Sequence, residues 1–147
     1  MASHEEMLAY QYMVTTLSGD STLMSYVPGG VYRNEAPPTS TTPPYIILSA
    51  QSGRDVTTAN AYRIYSSILM NVWVVGPASL AATMIVPAVK RLDALIGLVR
   101  TPQLTADGNG LILTCYRESP LSRDELINGE QWLNSGGAHR MYVQAIG

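Results

Sequence analysis

"YRIYSSILMNVWVV", Tyr62 to Val75, places Tyr62, Ile64, Ile68, Met70, Val72 and Val74 on one face of a strand and Tyr65, Leu69, Trp73 and Val75 on the other. A two-residue period sustained this long specifies β structure. Because both faces turn apolar toward the end, the strand belongs at the centre of a sheet or under a neighbouring subunit. Gly76-Pro77 then breaks it, and the period changes. Leu80, Met84, Ala88, Leu92, Leu95, Ile96 and Val99 form one apolar stripe at helical spacing, with Ser79 placed to cap it. Pro87 inside that stripe predicts a kink, since it leaves a carbonyl near Thr83 without its amide. A long strand followed by an amphipathic helix that can lie across it is the start of an α+β domain.

Upstream, "YIILSA" from Tyr45 is rich in β formers and starts after Pro44, where a proline is tolerated. The polar segment "QSGRDVTTANA", Gln51 to Ala61, separates it from the long strand and predicts a hairpin with an extended tip. The stretch before it, "VPGGVYRNEAPPTSTTPPYIILSA" (Val27 to Ala50), holds five of the nine prolines. Val31-Tyr32 reads as a short strand, and "NEAPPTSTTPP" as a stiff polyproline-like connection, because each proline removes an amide and biases its predecessor toward extended geometry.

The N-terminal segment reads as helix. Ser3 and Glu6 form a capping box, Met7, Tyr10, Val14 and Leu17 recur at helical spacing, and Gly19 offers a positive φ to end the run. Asp20 can cap a second short turn carrying Leu23, Met24 and Val27, stopped by Pro28 and Gly29-Gly30. Downstream, Thr101-Pro102 ends the long helix, and "QLTADGNGLILTCYR" predicts a hairpin turning at Asp107 to Gly110. Ser122 and Glu125 form a second capping box that predicts a short helix ending at Gly129. "HRMYVQAI" alternates Met141, Val143 and Ala145 against Tyr142, Gln144 and Ile146, the pattern of a last strand. The expected fold is one α+β domain over residues 1–147, a mostly antiparallel twisted sheet with helices packed on one face.

Composition narrows the function. Charged residues make up 14% of the chain against roughly 25% in typical soluble domains, while Tyr occurs nine times and Phe never. Tyr joins a large contact area to a polar tip, so this surface suits assembly. The net charge of −2, without a Lys/Arg cluster, predicts no direct nucleic-acid binding. Cys115 in "LILTCYR" is alone and reads as a small buried apolar residue, which points to a reducing compartment. "MASHEEMLAY" lacks the basic and apolar regions of a secretory signal, so the chain is expected to stay in the cytoplasm where it is made. The greasiest region, Ala78 to Arg100, is broken by Pro87 and charged at Lys90, Arg91 and Asp93, against a membrane span.

Sites of chemistry are scarce. His4 and His139 stand apart from Cys, Asp or Glu at metal-ligand spacing and read as solvated side chains, so no metal is expected. "ADGNG" lacks the remaining ligands of a calcium loop, and "PGGVY" and "NSGGA" lack the spacing of a phosphate cradle. No serine sits in a nucleophile elbow, so neither a catalytic residue nor a cofactor is expected. Arg54 and Asp55, at the expected hairpin tip, read as a solvated turn or a contact to another chain.

The order of these features resembles a known family. Leu17, Asp20, Leu23, the Pro28-Gly29-Gly30-Val31-Tyr32 segment, Ala36-Pro37 and Pro44-Tyr45 are similar, in order and spacing, to the tail completion or tail terminator proteins of bacteriophages with long non-contractile tails. The likeness covers the first half of the chain; the second half agrees only in its order of helix and strand, and "SPLSRDELINGEQWLNSGGA" matches no signature of the family. Membership would imply a virion protein forming a ring, usually of six subunits, that closes the head-proximal end of the tail tube. Its partners would be its own copies, the major tail tube protein and the head-closure or connector protein, with DNA passing through the lumen and no membrane. The expected subunit interface comprises Val27, Pro28, Tyr32, Arg33, Pro37, Pro38, Pro44, Tyr45 and Trp73, and the expected tube or lumen loop Arg54, Asp55, Thr57 and Asn60. Another neck component has the same composition, and a small-molecule-binding or hydrolytic α+β domain is the alternative of a different class.

Overall fold

The computed structural model describes residues 4–35, 37–57 and 63–146. Helices α1 (His4–Ser18) and α2 (Ser21–Tyr26) lead into strand β1 (Val31–Arg33), followed by β2 (Tyr45–Thr57) and β3 (Arg63–Pro77). A helical segment ending in α3 (Val86–Ile96) precedes the short strands β4 (Leu98–Val99) and β5 (Gln103–Leu104), then the long β6 (Gly110–Ile127) and β7 (Glu130–Ala145). Among the described residues the strands form one seven-stranded sheet in the order β1-β2-β3-β7-β6-β4, with β5 also on β6. All pairings are antiparallel except β1 with β2. The fold is therefore α+β, with the helices on one face of a mostly antiparallel sheet.

Strand alternation explains the core. Ile46 and Leu48 on β2, Met70, Val72 and Val74 on β3, and Met141 and Val143 on β7 point to the helices and are fully buried. They meet Leu92 and Ile96 of α3 and Leu8, Met13 and Leu17 of α1. Each such aliphatic side chain contributes about 1.5–3 kcal/mol by leaving water. β3 lies between β2 and β7, the central position that its apolar second face predicts.

Several expectations change. Of the expected α1 stripe, Tyr10 and Leu17 are buried and Val14 is partly buried, but Met7 is half exposed, and Leu8, Ala9, Tyr12 and Met13 widen the buried face. Gly19 ends α1 through its amide, which donates to the Thr15 carbonyl at 3.0 Å, without a positive φ. Ser3 lies outside the described residues. Ser79 caps nothing: Ala78–Leu80 form a 3-10 turn and Ala81–Ile85 a π turn that run into α3. Pro87 falls in the first turn of α3, directly after that π turn, a position that proline tolerates. Leu98 and Val99 leave the helix and pair with Tyr116 and Cys115.

The largest correction concerns residues 119–131. Ser122 and Glu125 do not open a helix; β6 continues to Ile127 and turns at Asn128-Gly129, both with positive φ, into β7. Paired strands satisfy every second amide that the expected helix would have used, and Asn-Gly is the favoured two-residue hairpin turn. Likewise Gln51 to Thr57 continue β2, with a bulge at Gln51, so only residues 58–62 separate the strands.

Asp20 behaves as expected and does more. Its Oδ2 accepts from the Leu23 amide at 2.9 Å, and both of its oxygens accept from Arg91 of α3, at 2.7 and 2.8 Å. The Arg91 hydrogen bonds, with the Leu23 amide second, hold the Asp20 carboxyl down at about 2, against an ordinary value of 3.8. A depressed folded-state pKa contributes stability that is complete above the unfolded value and fades as pH falls toward 2. We expect Asp20→Asn to flatten the acid limb of a stability–pH curve between about pH 4 and 2, and Asp20→Ala to cost about 1 kcal/mol at neutral pH through the lost cap. Urea unfolding across that range measures both, and an unchanged acid limb in Asp20→Asn would remove the linkage.

Candidate assembly surface

The sheet face turned away from the helices carries the expected surface aromatics. Register puts Tyr45, Val75, Asn134 and Arg123 in one row across β2, β3, β7 and β6, and Ile47 and Trp73 in the next. These side chains, with Asn34, Ser49, Glu125 and Ile127, line an open groove of about 420 Å³. Tyr45 meets Tyr32 edge to face at 6.2 Å and Trp132 at 6.3 Å between ring centroids. Arg123 lies 5.6 Å from the Trp73 ring centre, within cation–π range, and 3.4 Å from Glu125. Burial, followed by the charge of Glu125, raises the Tyr45 phenol above 10.0.

Asn134 is the unusual member of the groove. It is 2% exposed and its Nδ2 donates to Glu125 Oε1, while its Oδ1 has no partner among the described residues. A buried acceptor in that condition carries a desolvation penalty of about 1–3 kcal/mol that an incoming donor would relieve.

A second cluster occupies the far end of the same face. Tyr142 packs on Tyr65 at 5.0 Å and on Tyr116 at 6.4 Å, and Arg140 donates to both oxygens of Glu118 and to Ser67 Oγ. Arg54 adjoins this cluster from β2, whereas Asp55 turns to the helix side and accepts from Ser66 Oγ at 2.6 Å. Both lie within a strand, so neither forms the expected loop tip. Thr57 closes β2 opposite Arg63, and Asn60 lies outside the described residues.

The expected interface residues thus separate into groups. Tyr32, Tyr45 and Trp73 come together around the groove. Val27 and Pro44 are buried within the fold. Arg33 projects to the other side, 4.4 Å over the Tyr10 ring, and Pro28 and Pro38 are exposed with Pro37 half-buried. Arg123 and Glu125 sit in the stretch whose capping box predicts a helix ending at Gly129, and Trp132 and Asn134 follow it where no strand is expected before His139; the Asn128-Gly129 dipeptide is the signal for the hairpin that joins them.

Two further side chains face the core. Cys115 is buried as expected: its Sγ donates to the Ile96 carbonyl at 3.4 Å, and burial pushes the thiol up to about 12. His139 is 1% exposed, not solvated, because it shares the inward parity of Met141 and Val143. Burial, against a smaller opposing contact with the Ile96 backbone, lowers its pKa to about 4, so it is neutral at pH 7. Among the described residues no group of three His, Cys, Asp or Glu side chains could hold a metal ion, and no helix is long and apolar enough to cross a membrane.

No protein-family model and no curated protein matches the chain. Among solved structures, the fold is similar to that of a chain from the virion of a native gene transfer agent particle, with a TM-score of 0.64 at 18% identity, over 92% of this chain and 90% of that chain.

Proposed function

We propose that this protein is a structural, non-enzymatic component of a phage-like virion, and within it the tail terminator: a ring subunit, six to the ring, that caps the head-proximal end of the tail tube. The observation that carries the virion role is the fold shared over 92% of the chain with a chain of a gene transfer agent virion. The finer placement rests on the likeness of the first half of the sequence to tail terminators. Its partners would be neighbouring copies, the tail tube protein and the head connector, with DNA passing through the lumen. An uncovered aromatic face supports assembly, since exposed apolar surface rimmed by polar groups marks interaction sites.

A ring joins each copy to the next through two different patches, and its rotation must close. Native mass measured across a wide concentration range, followed by negative-stain images of the same sample, tests the proposal. A closed hexamer with a central hole is expected, and Pro37→Gly with Pro38→Gly should shift assembly to higher concentration by loosening a pre-ordered segment. A protein that stays monomeric and also fails to bind purified tail tubes or connectors would overturn the terminator role.

A further inference from the structure

We infer that the groove around Trp73 receives the proline-rich segment Pro37 to Thr42 of a neighbouring copy, so that both halves of the ring contact are written in this one chain. The inference deepens the ring proposal and rests on it. It begins with chemistry: Pro38 to Thr41 close a hydrogen-bonded turn, not the polyproline-like connection expected from the sequence, and a turn already ordered in the free chain can set a proline ring flat on an aromatic face at low ordering cost. The chain offers both sides. Tyr45, Trp73, Ile47 and Val75 supply the aromatic and aliphatic floor, while Pro38 and its successors Thr39 and Ser40 are exposed.

Hydrogen bonding supplies a second, independent reason. Asn134 Oδ1 is buried in the groove with no donor among the described residues. The Thr39 and Ser40 amides make no hydrogen bond among the described residues, whereas the Thr41 amide is committed to the Pro38 carbonyl at 2.9 Å. An incoming segment would satisfy a buried acceptor with an amide that otherwise faces water.

Placement in the sheet gives the third reason. The segment follows β1, at one edge of the strand order, whereas the groove's far wall is formed by Arg123 and Ile127 of β6, toward the opposite edge. Among the described residues, β6 beyond Arg117, whose amide reaches the Gly97 carbonyl, pairs only with β7 on its inner side. Contact between the β1 edge of one copy and the β6 side of the next joins two unlike patches, the head-to-tail arrangement from which rings are built.

The test is a disulfide trap in the full chain, Thr39→Cys with Ile127→Cys, a groove residue on β6. Cys115 does not interfere, being buried. Mild oxidation should give a covalent ladder rising from dimer to the size of the native ring, with each single variant giving no ladder. Rings that form by native mass while the double variant yields no ladder, or only an intramolecular disulfide, would overturn the docking and leave the ring standing. A ladder that stops at dimer would support the docking and remove the ring. A chain that is monomeric at every concentration and gives no ladder would remove both.

Discussion

Gly136→Ala is expected to unfold the protein or to destabilise it by at least about 3 kcal/mol, at the upper end of overpacking effects. A Cβ at Gly136 would lie 1.9 Å from the Val72 carbonyl oxygen and 3.0 Å from its carbon. Those are backbone atoms of β3, the strand to which β7 is paired from Ser66–Val143 to Pro77–Trp132. Relief therefore requires separating the two central strands, and no side-chain rotation helps. The control is Gly108→Ala: Gly108 has a φ of 75° and nothing within 4 Å of its would-be Cβ. That variant meets only the left-handed backbone penalty of about 1–2 kcal/mol. Urea midpoints of the two variants compare them directly, and a Gly136→Ala protein as stable as Gly108→Ala would show that the central pairing yields more easily than its geometry implies.

Tyr10→Ala is the second large effect, expected at about 3–5 kcal/mol, as for other buried aromatics cut to alanine. Tyr10 is 1% exposed on α1, and its hydroxyl ties the helix to β2 and to the residue after β1: it accepts from the Ala50 amide at 2.7 Å and donates to Asn34 Oδ1 at 3.0 Å. Arg33 covers the outer ring face. Tyr10→Phe separates the hydroxyl from the ring. It leaves the Ala50 amide without its partner just before the β2 bulge, for an expected loss of about 1–3 kcal/mol. Amide hydrogen exchange at Ala50 supplies the local readout: it should accelerate in Tyr10→Phe relative to Leu48. Equal stability of Tyr10→Phe and the parent would assign the whole effect to packing.

The elements that could be read from residues are those whose pattern has one solution. Ile68, Met70, Val72 and Val74 alternate without interruption, and they do face the core. Asp20, followed by a short apolar turn, caps that turn. By contrast, α1 carries apolar residues on more than one stripe, so Met7 and Leu8 compete, and only the sheet beneath decides that Leu8 is inside. Residues 122–125 satisfy a local capping rule, but Asn128-Gly129 and long-range pairing with β7 outweigh it. Local propensity yields there to contacts that a short window cannot see.

The same limit hid half of the candidate surface. Tyr45 and Trp73 stand out as half-buried aromatics on the outer face of recognisable strands. Asn134 and Arg123 become groove residues only when β7 is laid between β3 and β6. His139 was within reach, since it shares parity with Met141 and Val143; its polarity argued for water, and strand alternation prevailed.

The strand order β2-β3-β7-β6 also bears on how the chain reaches this state. β2–β3 and β6–β7 are each hairpins of sequence neighbours, whereas the central seam joins Ser66 to Val143 and Pro77 to Trp132. Closing that seam costs the entropy of a far longer loop than closing either hairpin, so the two hairpins are favoured to form first and to dock afterwards. Until β7 arrives, the Met70, Val72 and Val74 edge of β3 is an open strand template. During synthesis the chain thus passes through a stage in which its most apolar strand is exposed along one side, and the docking of the two hairpins sets how long that stage lasts.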